Sequence, residues 1–63
     1  GTSPYRYLIQ RRLDIARRLM LGGQTLAEAA LAAGFADQSH MTRHFGQSYG
    51  LSPARWLRML GRA

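Results

Sequence analysis

The sequence contains no cysteine and no lysine, only three acidic residues, and no extended apolar run. Each absence closes a class of function. Without cysteine there is neither a disulfide framework nor thiolate chemistry, and two histidines with three acids offer no spacing that marks a metal site. Apolar residues make up 46% of the chain, but none of their runs nears the ~18 positions of a membrane span, and no leader segment is visible. The expectation is a soluble protein of the cytoplasm that carries no metal or cofactor. A chain of 63 residues has room for one domain, and because so short a chain hides a smaller share of its surface, its core must be small and helical.

Arginine is what the chain has in excess. Nine arginines stand against Asp14, Glu28 and Asp37, for a formal charge of +6. That balance favours polyanions, either nucleic acid or an anionic membrane surface. Charge indicates the kind of partner and says nothing about the fold.

An internal repeat organises the chain. Gly1-Thr2-Ser3-Pro4-Tyr5-Arg6-Tyr7-Leu8 recurs as Gly50-Leu51-Ser52-Pro53-Ala54-Arg55-Trp56-Leu57, 49 positions later, with five of eight residues identical. Each copy reads as a helix start: serine as N-cap, proline at the first helical position where its missing N–H costs nothing, and an aromatic one turn on. Leu51 before the second cap and Trp56 after it have the spacing of a hydrophobic staple. The first copy opens the chain without the helices that precede the second, and this implies a longer parent with an upstream unit.

From residue 4 to about 21 the apolar positions Ile9, Leu13, Ala16 and Met20 advance by four, three and four, with Leu8, Ile15 and Leu19 beside them. This is the pattern of one long amphipathic helix. Asp14 and Arg18 have i,i+4 spacing, and Gly22-Gly23 ends the helix. Thr25-Leu26-Ala27-Glu28 is a capping box that starts a helix of two turns. Leu26, Ala29, Ala30 and Ala33 form its flat apolar face, and Gly34 stops it. Asp37 caps a third helix running to Ser48 or Tyr49, with Met41, Phe45 and one of those two residues buried. Its opposite side carries Gln38, Ser39, Thr42 and Arg43. A closing helix from Pro53 to about Leu60 is expected to bury Trp56, Leu57 and Leu60.

Helices 26–33 and 38–48, joined by a tight turn containing glycine, make a helix-turn-helix pattern, in which the second helix enters the DNA major groove. The side chains on that helix are the kinds groove reading needs. Arginine donates twice to guanine, glutamine bonds both edges of adenine, serine and threonine suit several bases, and the Thr42 methyl can meet a thymine methyl. No acid shares a face with a histidine and a nucleophile, so no catalytic set is visible.

Ala27 through Phe45, which contains Gly34-Phe35, Asp37-Gln38-Ser39 and Arg43-x-x-Phe45, is followed by Gly50-x-Ser52-Pro53. This order resembles the signature of the AraC/XylS family of bacterial transcription regulators, and the resemblance covers nearly the whole chain. It implies an all-α, homeodomain-like helix-turn-helix fold in which residues 4–21 are a linker helix and residues 25–60 the second of two helix-turn-helix units. It also implies that Gln38, Ser39, His40, Thr42 and Arg43 are the base-facing positions on double-stranded DNA. RNA polymerase is a possible partner, and any effector would bind another domain of the parent. The chain departs from the pattern at Met41, where an aromatic is common, at Leu57, where many members carry arginine, and at Ala29 and Ala32, which replace larger aliphatics.

Three other readings stay open from sequence. The unit could belong to a DNA-repair methyl acceptor, whose reactive cysteine this chain lacks. Helix 38–48 could contact a protein instead of DNA. Residues 4–21 could lie on an anionic membrane surface. His40 and His44 are four apart on one helix, but no third ligand stands near them in sequence.

Overall fold

The computed structural model describes residues 3–61. Among them are four α-helices and no strand: α1 (Pro4–Leu21), α2 (Leu26–Ala33), α3 (Gln38–Tyr49) and α4 (Pro53–Met59). The two Ser-Pro starts do the same work at both ends of the chain. Ser3 Oγ accepts from the Arg6 N–H at 3.1 Å, and Ser52 Oγ accepts from the Arg55 N–H at 3.2 Å. In each case a side chain satisfies an N–H that the first turn leaves without a partner. The first two residues of the repeat, Gly1 and Thr2, lie outside the described residues.

The helix ends are as definite as the starts. At the end of α1, Gly23 takes φ +102°, and the Gln24 N–H reaches back to the Leu19 carbonyl. At the end of α2, Gly34 takes φ +103°, and the Phe35 N–H bonds the Ala30 carbonyl at 2.9 Å. Both are Schellman closures, which glycine makes without steric cost. Gly34 has a second constraint. A Cβ there would lie 2.9 Å from Arg12 Nε, because the Arg12 side chain crosses over the turn.

The buried residues come from three helices and one turn. Ile9, Leu13, Ala16 and Met20 of α1 meet Ala29, Ala30 and Ala33 of α2, the turn residue Phe35, and Met41 and Phe45 of α3. All four α1 positions expected from the periodicity are buried, whereas Leu8 and Ile15, on the flank of the stripe, are exposed. Every side chain on the α2 face but Leu26 is a methyl group, so α2 can lie close against α1. No polar or charged residue is buried among the described residues. Truncating Leu13 or Phe45, both fully buried, is expected to cost about 2–5 kcal/mol.

α4 departs from the expected pattern at its far end. It touches the rest of the fold chiefly through α3, where the Trp56 ring lies 5.6 Å from Phe45. Trp56 and Leu57 are half-buried as a result. Leu60 was expected in the core but is the C-cap residue and is 51% exposed. The helix ends at Met59, one residue before it. On α3, Tyr49 takes the half-buried position and Ser48 stays exposed, accepting a hydrogen bond from Gln10 at 2.8 Å.

The capping box makes stability depend on pH in a defined direction. Thr25 Oγ1 accepts from the Glu28 N–H at 3.1 Å, and Glu28 Oε1 accepts from the Thr25 N–H at 2.9 Å. The backbone bond from Thr25, followed by the bond to its side chain, holds the Glu28 carboxyl below the usual glutamate range. A carboxyl depressed in the folded state adds stability that is complete above its unfolded pKa and lost as pH falls through the folded one. The melting temperature should therefore drop as pH falls through and below the ordinary glutamate range. Glu28→Ala should be less stable than the parent at neutral pH and lose part of that acid dependence, as followed by circular dichroism melts. Equal slopes in the two proteins would contradict this.

Candidate nucleic-acid interface

α3 presents the polar residues, and its orientation is set from three sides. Asp37 Oδ1 accepts from the His40 N–H at 2.8 Å and closes the N-terminus. Met41 and Phe45 anchor the inner face in the core. Gly50, at φ +79°, ends the helix and turns the chain toward α4. With Met41 and Phe45 inward, the 3.6-residue period puts Ser39, Arg43, Gly46 and Gln47 on the outward face.

The five residues expected from sequence do not all share that face. Gln38, Ser39 and Arg43 are exposed, and Thr42 is half-buried at the edge. Ser39 and Arg43 share the outward face with Thr42 at its edge, while Gln38 stands at the exposed helix start, three residues before Met41 on the inner side. His40 has a different place. Its ring is half-buried and turned toward the core, edge-on to Phe35 at 5.5 Å and 4.7 Å from the His44 ring. Both of its nitrogens are engaged, Nδ1 with the Ala36 N–H at 3.3 Å and Nε2 with His44 Nε2 at 3.1 Å.

Two residues not singled out from sequence lie on the outward face. Gln47 is exposed and stands four residues after Arg43, directly above it on the helix. Gly46 stands four after Thr42, and a Cβ added there would meet nothing within 4 Å. The 3.6-residue spacing from Ser39 and Arg43 was the available signal, but composition gave no reason to extend the face past Arg43.

The arginines divide by what they touch. Arg17 pairs with Asp14, lies 5.0 Å from the centre of the Tyr49 ring, and so joins α1 to the end of α3. Arg18 makes the expected i,i+4 contact with Asp14 at 3.5 Å. Arg12 covers Gly34. Arg43 is exposed, and among the described residues no hydrogen bond or ion pair joins it to another side chain. A guanidinium with no internal partner keeps its five donors for something outside the fold. No group of three or more metal-ligating side chains is present among the described residues, and no described helix is long and apolar enough to cross a membrane.

A family model described as a helix-turn-helix domain matches residues 1–59. The probable transcriptional regulator LumQ of Photobacterium leiognathi is 37% identical over 57 residues, covering 89% of this chain and 23% of its own length. The transcriptional activator NphR of Rhodococcus is 41% identical over 54 residues, covering 84% of this chain and 16% of its own. The regulator ExsA of Pseudomonas aeruginosa is 32% identical over 56 residues, covering 87% and 20%. No solved structure matches the chain.

The fold and its outward-facing second helix define a DNA-binding helix-turn-helix unit of transcription regulators. The chain belongs to the helix-turn-helix domain family, of the AraC type. It spans about a fifth of the length of the curated relatives it matches.

Glycine within a helix costs about 0.5–1 kcal/mol relative to alanine. Gly46 lies inside α3 with open space around it. Gly46→Ala should therefore raise the stability of the unbound chain by roughly that amount, seen as a higher melting temperature. A lower one would show that the outward face of α3 is packed against something in the free chain.

Proposed function

We propose that this chain binds double-stranded DNA sequence-specifically, with the N-terminal half of α3 in the major groove and Gln38, Ser39, Thr42 and Arg43 at base edges. The observation that carries this reading is Arg43, exposed and, among the described residues, with no hydrogen bond or ion pair to another side chain, between Ser39 and Gln47 on one face of the second helix. Arginine in that setting donates to guanine O6 and N7, the commonest specific contact in the major groove. His40 acts from behind the face, through its bonds to Ala36 and His44. The role is binding and not catalysis.

The remaining basic residues supply affinity. Arg6, Arg11, Arg18, Arg55 and Arg58 are exposed, and phosphate contacts from residues of this kind release counterions and strengthen binding at low salt. In the parent regulator, the 49-residue spacing of the two Ser-Pro starts supports a pair of such units reading successive grooves, with α1 as the linker between them. Effector sensing and any contact with RNA polymerase belong to that larger protein, which we place in the cytoplasm with its DNA.

The test is affinity for a duplex selected from a random pool and for a scrambled one, measured at two salt concentrations. Arg43→Ala should lose about 1–3 kcal/mol on the selected duplex and much less on the scrambled one. Arg11→Ala should weaken both alike and flatten the salt dependence. If Arg43→Ala leaves the selected duplex unaffected, α3 is not the reading helix.

A further inference from the structure

Behind the outward face of α3, three aromatic side chains and one backbone amide are joined by a line of hydrogen bonds, with a fourth ring packed against them. The Ala36 N–H, in the turn between α2 and α3, donates to His40 Nδ1 at 3.3 Å. His40 Nε2 lies 3.1 Å from His44 Nε2, and Tyr5 Oη, on the first turn of α1, lies 3.5 Å from that same nitrogen. Phe35 backs both imidazoles, edge-on to His40 and stacked at 6.1 Å on His44.

This arrangement assigns the protons. An amide can only donate, so His40 Nδ1 is bare, and the neutral ring carries its hydrogen on Nε2. That hydrogen points at His44 Nε2, which must accept, so the His44 hydrogen is on Nδ1. The Tyr5 hydroxyl, 3.5 Å from the same His44 Nε2, adds only a weak shared bond, because that nitrogen has a single lone pair. The links from Ala36 to His40 and from His40 to His44 are satisfied by two neutral imidazoles. A further proton on His44 Nε2 would face the His40 N–H, and one on His40 Nδ1 would face the Ala36 N–H. Either addition breaks a link.

We propose that His40 and His44 are positioning residues for DNA reading: their single shared proton ties the turn and α1 to α3, and adding a second proton loosens the helix that carries Gln38, Ser39, Thr42 and Arg43. The inference rests on the DNA-binding reading above. The groups facing the pair are Tyr5 and Arg6 from α1 and Asp37 and Arg43 from the turn and α3. Arg12 crosses the neighbouring Gly34, and the α2 carboxylate Glu28 is engaged at the far end of its own helix. Burial first, then the charges of His40 and Arg43, hold His44 below the usual histidine range. Neutral His44 is therefore favoured at neutral pH, and the link it accepts is lost as pH falls through that depressed value.

Two effects of acid on DNA binding then have opposite signs. Added positive charge strengthens attraction to any duplex, while loosening α3 weakens only discrimination. The experiment begins with ¹⁵N NMR of the imidazoles in the free 63-residue chain at neutral pH. The expected pattern is hydrogen on Nε2 of His40 and on Nδ1 of His44. Affinities for the selected and scrambled duplexes are then measured as pH falls through the His44 titration. The ratio of the two affinities should fall by roughly fivefold, as for the loss of one such hydrogen bond, while scrambled-duplex binding holds or rises. In the double variant His40→Gln/His44→Gln, which leaves neither ring to titrate, the ratio should be flat across that range, and the wild-type pH series stands as the test if this variant does not fold. The opposite tautomers, or a ratio independent of pH in the wild type, would overturn the proposal and leave the DNA reading intact. A ratio of one at every pH would instead overturn the reading on which it rests.

Discussion

The close seam between α1 and α2 is the constraint from which the rest of the structure follows. Ala29, Ala30 and Ala33 meet the α1 stripe of Ile9, Leu13, Ala16 and Met20, and three methyl groups in a row let the two helices approach as larger side chains would not. With α2 held there and ended by its own glycine, Gly34 lies under the Arg12 side chain and Phe35 enters the core. The turn in turn sets the direction in which α3 leaves. A leucine at Ala30, which is fully buried, would overfill the seam.

Polar chemistry is kept at the ends and outside of this core. Helix starts are closed by Ser3, Thr25, Asp37 and Ser52, and no polar or charged residue is buried among the described residues. Charge then falls into two groups. Arg12 and Arg17 lie against the fold, over Gly34 and beside Asp14 and Tyr49. Arg43 and the exposed arginines of α1 and α4 have their guanidinium groups in solvent. A strongly basic domain can thus be stable alone and still hold cations ready for a polyanion.

Helix boundaries were legible because they rest on local chemistry. The Ser-Pro pairs, the Thr25–Glu28 box, Asp37 and the glycines at 22, 23, 34 and 50 each act within a few residues, so spacing alone located α1, α2 and α3. The inward faces of those helices were legible for the same reason. What sequence could not show depended on partners distant in the chain. His40 belongs to the same polar run as Ser39 and Thr42, and only Phe35, Ala36 and His44 reveal that it turns inward. Arg17 resembles Arg18 in sequence, but Tyr49 lies beside the one and not the other. Leu60 fits the apolar pattern of α4, but it falls at the cap beyond the last helical residue and stays exposed.

The most direct measurement of the central claim is NMR of the chain bound to a selected duplex, recording through-space contacts between side-chain and DNA protons. With α3 in the major groove, contacts are expected from the Thr42 methyl and the Ser39 and Arg43 side chains to thymine methyl and cytosine H5 protons, which lie in that groove. Contacts confined to sugar protons, or made by α1 or α4 with α3 silent, would contradict it.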